Sequence, residues 1–439
     1  AKFTGASWYK DGFFYGAYDR PEEGKEFSNV NENHKIYYHK LGTSQEEDVL
    51  FYENPEQPRY FHQLGLTEDE NYMFLYESGQ GAGHTLWIKD AKNPKSKFVQ
   101  IGFDMNYSYS PIDVIDGTLY IFTNYNAPKG KICKVDVKNP QMENWIDVIP
   151  ECENVLAGIN LADGKMIVTY DQDASNHSYV YTMDGKLLHE IKFPTLGSVG
   201  FSSDYEESEI FYAFTSFAFP TTIYRYNIND NTSEVFRAPA IDFNSEDYTT
   251  EQVFVTSKDG TKVPMFLTYK KGLKKDGNNP ALLYGYGGFN ITLNPGFSTS
   301  RLPFLENGGI YAMMNLRGGN EYGEEWHIAG TKLQKQNVFD DCIACAEYLI
   351  ENNYSNPKKM AVNGGSNGGL LVGAVVNQRP DLFAAAVPQV GVMDMLRYHL
   401  FTIGWNWASD YGTSDESKEM FEALYAYSPL HTIQNGENV

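Results

Sequence analysis

Apolar and aromatic residues alternate with polar ones in short runs through the first 240 or so residues, a period-two pattern that predicts half-buried strands rather than helices. Five of these runs recur: GFFYGAYD (Gly12–Asp19), YMFLYES (Tyr72–Ser78), TLYIFTN (Thr118–Asn124), KMIVTYD (Lys165–Asp171) and EIFYAFTS (Glu209–Ser216). Aligned on Phe14, Phe74, Tyr120, Ile167 and Phe211, they are separated by steps of 60, 46, 47 and 44 residues. A second family lies one strand further on, around Ile36, Leu86, Ile132, Val180 and Ile223, with steps of 50, 46, 48 and 43. Two strand families at one interval mark a repeating unit of about 45 residues, the pattern of a β-propeller blade. A β-sandwich gives no reason for the shared interval. The pairs Asp11-Gly12, Asp116-Gly117 and Asp163-Gly164 each precede the first strand of a unit, where a tight turn needs residues that tolerate positive φ. About five blades are expected. The strand pattern starts at once with KFTGASW from Ala1, so earlier blades are expected to be missing.

Between Ile241 and Thr256 the repeat stops, which puts the boundary between a propeller (1–245) and a second domain (246–439). The segment VFVTSKDGTKVPMFLTY reads as strand, Asp259-Gly260 turn and strand. PALLYGYGGFN and GGIYAMMNLRGG read as buried strands running into Gly-rich loops, and NVFDDCIACAEYLIENN has apolar residues at helical spacing. KKMAVNGGSNGGLLVGAVVNQ then reads as strand, turn and helix. Alternating strands and helices predict an α/β sheet.

Within that last segment Gly364-Gly365-Ser366-Asn367-Gly368 matches G-x-S-x-G between an apolar strand and an apolar helix. A nucleophile elbow needs that context, because the turn is too tight for side chains at the flanking positions and leaves the serine hydroxyl exposed. A bare G-x-S-x-G is also compatible with a structural Gly-rich turn; the strand before it and the helix after it favour the nucleophile. Ser366 is therefore the candidate nucleophile, and the Asn367 N–H at the helix start is placed to meet a developing oxyanion.

Composition narrows the function classes. With 42% hydrophobic and 21% charged residues the chain has the balance of a folded globular protein. Its net charge of −22 argues against nucleic acid or an anionic membrane as partner. Tyr, Phe and Trp make up 15% of the residues, which suits a strand-rich protein. The four cysteines are too few and scattered for a disulfide scaffold; Cys342 and Cys345 form a C-x-x-C, but on a helix-patterned segment, which favours burial over redox or metal chemistry. No metal site and no cofactor are expected. Arg317, the Glu321, Glu324, Glu325 cluster and the Lys270, Lys271, Lys274, Lys275 run are read as structural or solvated.

The segments YGYGGFNI (Tyr284–Ile291), LRGGNEYGEEWH (Leu316–His327), NGGSNGGLLV (Asn363–Val372) and QRPDLFAAAVPQVGVMDML (Gln378–Leu396) occur in this order and resemble the prolyl oligopeptidase family, most strongly from about Gln252 onward. The resemblance implies a seven-bladed propeller capping an α/β-hydrolase domain, here with about five blades and a truncated hydrolase, and cleavage of short peptides after proline. It implies Ser366 as nucleophile and the Asn367 N–H with the Tyr286 hydroxyl as oxyanion donors. It also implies a proline slot with Trp407 stacking on the ring and Phe289, Val392 and Tyr411 as walls; from sequence alone each of these is equally an ordinary core residue. The implied partners are short proline-containing peptides, and a monomer is expected, in the cytoplasm as for most of the family, with a periplasmic or secreted setting as the alternative.

In such a hydrolase the acid and base follow the serine in the chain. The histidines after Ser366 are His399 and His431. His399 comes too soon after the elbow, His431 in SPLHTI matches a non-catalytic stretch of the family, and Asp394 lies outside the expected position. The chain is thus expected to be an internal fragment of a longer enzyme. Two other readings stand beside this one: a related oligopeptidase of different specificity, against which the aromatic rather than acidic slot speaks, and a non-catalytic propeller module with a decayed hydrolase half.

Overall fold

The computed structural model describes residues 4–25, 29–79 and 81–434; Lys2 and Phe3 of the KFTGASW pattern lie outside the described residues. Among the described residues five four-stranded antiparallel sheets follow one another, spanning Ala6–Glu53, Phe61–Gly102, Tyr109–Ile149, Val155–Ile191 and Ser198–Arg237. In each the strands lie side by side in sequence order. Phe14, Phe74, Tyr120, Ile167 and Phe211 all fall on the second strand of their sheet, and Ile36, Leu86, Ile132, Val180 and Ile223 on the third. The interval seen in the sequence is therefore the repeat of a propeller blade.

Two of the three Asp-Gly pairs form the expected two-residue hairpin turns. Asp116 and Gly117 have φ of 49° and 76°, Asp163 and Gly164 of 45° and 65°, and the flanking residues pair directly. At Asp11-Gly12 the turn sits one residue earlier: Tyr9 pairs with Gly12, and Lys10 has the positive φ. Gly12 opens the strand instead, where a Cβ would lie 2.1 Å from the His39 carbonyl oxygen.

Packing between blades follows from the two-sided burial of their strands. In the second sheet Met73 and Leu75 pack against Phe14 and Ile36 of the first, while Phe74, between them in sequence and facing the other way, joins Tyr109, Leu119 and Ile121 of the third. In the fourth and fifth sheets Ile167 and Val180 meet Tyr212, Phe214 and Tyr226. In the fifth sheet the buried set is offset by one residue from Phe211 and Ile223, which are only half-buried; a shift of one exchanges the two faces.

The chain packs as two compact units. One runs to Glu151 and takes in Arg397–Ser409; the other holds Cys152–Leu396 and the segment from Asp410. The second unit contains a six-stranded sheet: β1 (Tyr248–Thr256), β2 (Lys262–Lys270), β3 (Ala281–Gly285), β4 (Ile310–Met314), β5 (Met360–Gly365) and β6 (Ala385–Gln389), in the spatial order β1-β2-β4-β3-β5-β6. The β1–β2 hairpin is antiparallel, whereas β4, β3, β5 and β6 are mutually parallel. Helix α1 (Gln336–Glu351) connects β4 to β5, and α2 (Asn367–Gln378) connects β5 to β6. Cys342 and Cys345 are fully buried on α1 with free thiols, as the helical spacing implied. Arg317, read as structural, is buried between Asp341 and Asp259, with its Nη2 2.6 Å from Asp341 Oδ1. Among the described residues no helix is long and apolar enough to cross a membrane, and no cluster of His, Cys, Asp and Glu is fit to hold a metal.

Glu321, in the loop after β4, is buried in the same unit. Its Oε1 accepts from the Leu293 N–H and from Asn315 Nδ2, each at 3.1 Å, and its Oε2 is buried without a hydrogen bond. Burial pushes its pKa from the ordinary 4.5 up to about 7. An acid whose folded pKa is raised contributes stability that is complete below the unfolded value and is lost as pH rises through the folded one. The unit is therefore expected to lose stability between about pH 4.5 and pH 7 from this group, by at most about 3 kcal/mol. Melting curves at pH 5 and pH 8 check this: Glu321→Gln should flatten the difference, and an unchanged difference contradicts the assignment.

Candidate active site

The candidate nucleophile and the candidate oxyanion tyrosine meet because of strand order. Strands β3 and β5 are parallel neighbours, with Tyr284 opposite Asn363. Tyr286 lies two residues beyond Tyr284 and Ser366 three beyond Asn363, so both leave the carboxyl ends of adjacent strands, where open α/β sheets place their ligand sites. Ser366 is the residue between β5 and α2 and has φ 58° and ψ −117°, a region that non-glycine residues rarely occupy. Its N–H donates to the Gln389 carbonyl at 2.9 Å, which ties the turn to β6, and the residue is exposed.

The glycines around it are a steric requirement. A Cβ on Gly364 would stand 2.4 Å from the Gly368 carbonyl oxygen, and one on Gly368 would stand 2.6 Å from that of Gly285. Gly365 has no neighbour closer than 3.9 Å, so the two outer glycines of G-x-S-x-G are the ones the turn needs.

The Tyr286 phenol is half-buried and interacts with the neighbouring Ser366 side chain. Burial raises its pKa, and that keeps the phenol protonated and able to donate. Asn367, 1% exposed, is the first residue of α2; such a residue's N–H has no partner within the helix and is directed out of its N-terminal end. The Asn367 side chain is fixed on both sides: its Nδ2 donates to the Tyr286 carbonyl at 2.5 Å, and its Oδ1 accepts from the Tyr411 hydroxyl at 2.8 Å. Two donors and an exposed hydroxyl on a strained turn form the constellation of nucleophilic acyl transfer.

The expected proline-slot residues are placed as follows. Phe289, with φ 56°, stands edge-on to Tyr411, ring centroids 5.3 Å apart at 86°. Tyr411 is 1% exposed, and Val392 is half-buried. Trp407 belongs to the segment that packs with the other unit, where its half-buried ring stacks on Tyr398 with the planes 15° apart.

Behind the Tyr286 loop lies a buried charged cluster that the sequence did not reveal. Asp410 Oδ1 accepts from His327 Nε2 at 2.7 Å and from the Phe289 N–H at 3.2 Å; its Oδ2 is 3.5 Å from Lys335 Nζ. Lys335 donates to the Gly287 carbonyl at 3.0 Å. Lys335 and Asp410 are each 1% exposed. Burial alone would raise the Asp410 pKa, but the Lys335 charge and the His327 hydrogen bond outweigh it and hold it below the ordinary value. In the sequence Lys335 is a lysine just before α1, at the end of a turn whose residues Lys332, Leu333 and Gln334 are exposed.

His327 is not placed to act as a general base. Its Nδ1 faces Glu324 Oε1 at 3.1 Å and its Nε2 faces Asp410, and these bonds overcome burial to push its pKa up to about 9. An imidazolium with both nitrogens engaged accepts no proton. His431 Nδ1 is 2.8 Å from Ser428 Oγ, and among the described residues no histidine is hydrogen-bonded to Ser366.

Comparison with known proteins identifies the family of the chain. Residues 1–239 match the model of the prolyl oligopeptidase N-terminal beta-propeller domain, and residues 295–438 match that of the prolyl oligopeptidase family. The prolyl endopeptidase of Elizabethkingia meningoseptica is 48% identical over 99% of this chain and 62% of its own length. That of Dictyostelium discoideum is 39% identical over all of this chain and 61% of its own. Among solved structures, one from a structural and mechanistic study of two prolyl endopeptidases aligns with a TM-score of 0.92 at 37% identity, over 99% of this chain and 64% of that one. Prolyl oligopeptidase B from Galerina marginata, bound to a 25mer macrocyclization substrate, aligns with a TM-score of 0.92 at 33% identity, over 99% of this chain and 62% of that one. The chain thus spans somewhat over three fifths of the length of the relatives it matches. With a propeller of four-stranded blades, a hydrolase sheet in the order above and an elbow serine at the end of β5, it belongs to the prolyl oligopeptidase family.

Proposed function

We propose that the protein is a serine endopeptidase that cleaves short peptides on the carboxyl side of proline through an acyl-enzyme at Ser366. The observation that carries this reading is the exposed Ser366 on its strained turn beside the half-buried Tyr286 phenol, whose raised pKa keeps it protonated. In the reaction, a histidine base takes the Ser366 proton as the hydroxyl attacks the carbonyl of the proline residue. The Tyr286 hydroxyl and the Asn367 N–H stabilise the tetrahedral oxyanion, the amine leaves with a proton from the base, and water hydrolyses the ester.

Specificity for proline rests on an aromatic slot, because the ring in a peptide has no N–H to bind and offers only faces and edges. Trp407 is the stacking surface in this reading, with Phe289, Val392 and the Tyr411 ring as walls. The net charge of −22 supports peptides rather than nucleic acid or anionic membrane as partners, and the free cysteines suit a reducing, cytoplasmic setting. We take the enzyme to act as a monomer without cofactor, its propeller excluding folded proteins.

The test compares Gly-Pro and Gly-Lys chromogenic peptides and an intact globular protein as substrates of the full-length gene product. Cleavage of the Gly-Pro peptide at least about a hundredfold faster than the Gly-Lys one is expected, with the globular protein left whole. Preference for Gly-Lys would point to the related oligopeptidase, and no turnover of either to a binding module.

A further inference from the structure

We infer that Asp410 and Lys335 are positioning residues for the oxyanion hole, an inference that rests on the roles proposed for Ser366 and Tyr286. The loop after Tyr286 has an unfavourable conformation, with positive φ at Gly287, Phe289 and Asn290, and its own backbone bonds lie toward its far end, from the Ile291 N–H to the Gly288 carbonyl at 3.2 Å and from the Asn290 N–H to the Gly318 carbonyl at 3.1 Å. The part nearest Tyr286 is held from behind. Lys335 takes the Gly287 carbonyl at 3.0 Å, and Asp410 takes the Phe289 N–H at 3.2 Å, so the charged pair grips the loop one and three residues after Tyr286. The next residue, Tyr411, holds Asn367 Oδ1, and Asn367 in turn holds the Tyr286 carbonyl. The dipeptide Asp410-Tyr411 thus sets the loop bearing one oxyanion donor and the side chain of the residue bearing the other.

A buried ion pair is seldom a net gain in stability over a well-packed apolar pair. This one does what an apolar pair cannot, because it satisfies two backbone groups of a loop in an unfavourable conformation. His327 completes the cluster: bonded to Asp410 and Glu324 and held charged, it adds a second cation that keeps Asp410 ionised. The charges on Asp410, Lys335, His327 and Glu324 sum to zero, so the cluster fixes geometry and places no net charge behind the site.

The experiment is a double-mutant cycle on the full-length gene product, read as the rate of Ser366 labelling by a fluorophosphonate, whose oxygen occupies the oxyanion site. Lys335→Met and Asp410→Asn are each expected to slow labelling by about tenfold to a hundredfold with Tyr286 in place, and by less than about threefold in a Tyr286→Phe background, where the positioned donor is already gone. The loss in peptide cleavage should fall on kcat rather than KM. Equal cost in both backgrounds, or a loss confined to KM, would overturn the inference. So would failure of both variants to show a melting transition, since the cluster would then hold the fold rather than the loop. The wild-type protein separates the two levels: Ser366 labelling without Gly-Pro cleavage would refute the proline reading and leave this inference standing, whereas no labelling at Ser366 would refute both.

Discussion

Replacement of Ser366 by alanine is expected to reduce turnover of a Gly-Pro chromogenic peptide by about 10⁶, to the residual level that binding and oxyanion donors supply without a nucleophile. The size of the effect follows from the mechanism, since no acyl-enzyme forms without the hydroxyl. The substitution is a clean one. Ser366 is exposed, alanine brings no added bulk to the turn, and the Ser366 N–H bond to Gln389 and the helix start depend on backbone alone. The melting temperature should therefore stay within a few degrees of the parent, and peptide binding, followed by titration with a slowly cleaved substrate, should be retained. Loss of both binding and fold would reduce Ser366 to a structural residue of a tight turn.

Tyr286→Phe is expected to lower kcat by about 10² to 10³, or somewhat less, with little change in KM. The hydroxyl is asked to stabilise charge that appears only on the tetrahedral oxygen, and an interaction made only in the transition state is lost from kcat and not from ground-state binding. The ring remains, and the Tyr286 carbonyl keeps its bond from Asn367, so the loop should stay in place. The raised phenol pKa adds a second expectation: this donor remains protonated through neutral pH, and the activity profile should show no titration from it on the alkaline side below pH 10. Steady-state kinetics on the two proteins decide the point, and equal kcat values would remove Tyr286 from the oxyanion hole.

Much of this was legible in the sequence because the signals were local. A blade is a run of antiparallel hairpins, so its strands and turns are written within about 45 residues, and the interval between second strands showed directly. The elbow was equally local, since Gly364, Ser366 and Gly368 lie in five consecutive residues and the backbone leaves no room for a Cβ at either outer glycine. The buried face of the fifth sheet was harder to place. With Ile210, Phe211, Tyr212 and Phe214 all apolar, alternation alone did not say which face was inside. The Asp410 cluster was invisible for a different reason. Gly287, His327, Lys335 and Asp410 are brought together by the segments that follow β3, β4 and β6, and a lone lysine or aspartate in a polar stretch looks the same whether it is solvated or buried. Tyr411 carried a family expectation as a slot wall, yet its hydroxyl bond to Asn367 adds a contact that only the folded chain displays.

The measurement that bears most directly on the assignment of Ser366 is the site of covalent modification. The full-length gene product is treated with a fluorophosphonate, digested and mapped by mass spectrometry, with and without a competing proline-containing peptide. A single adduct on the peptide carrying Ser366, suppressed by the competitor, is the expected result. No adduct, or an adduct on another serine with Ser366 unmodified, would contradict it.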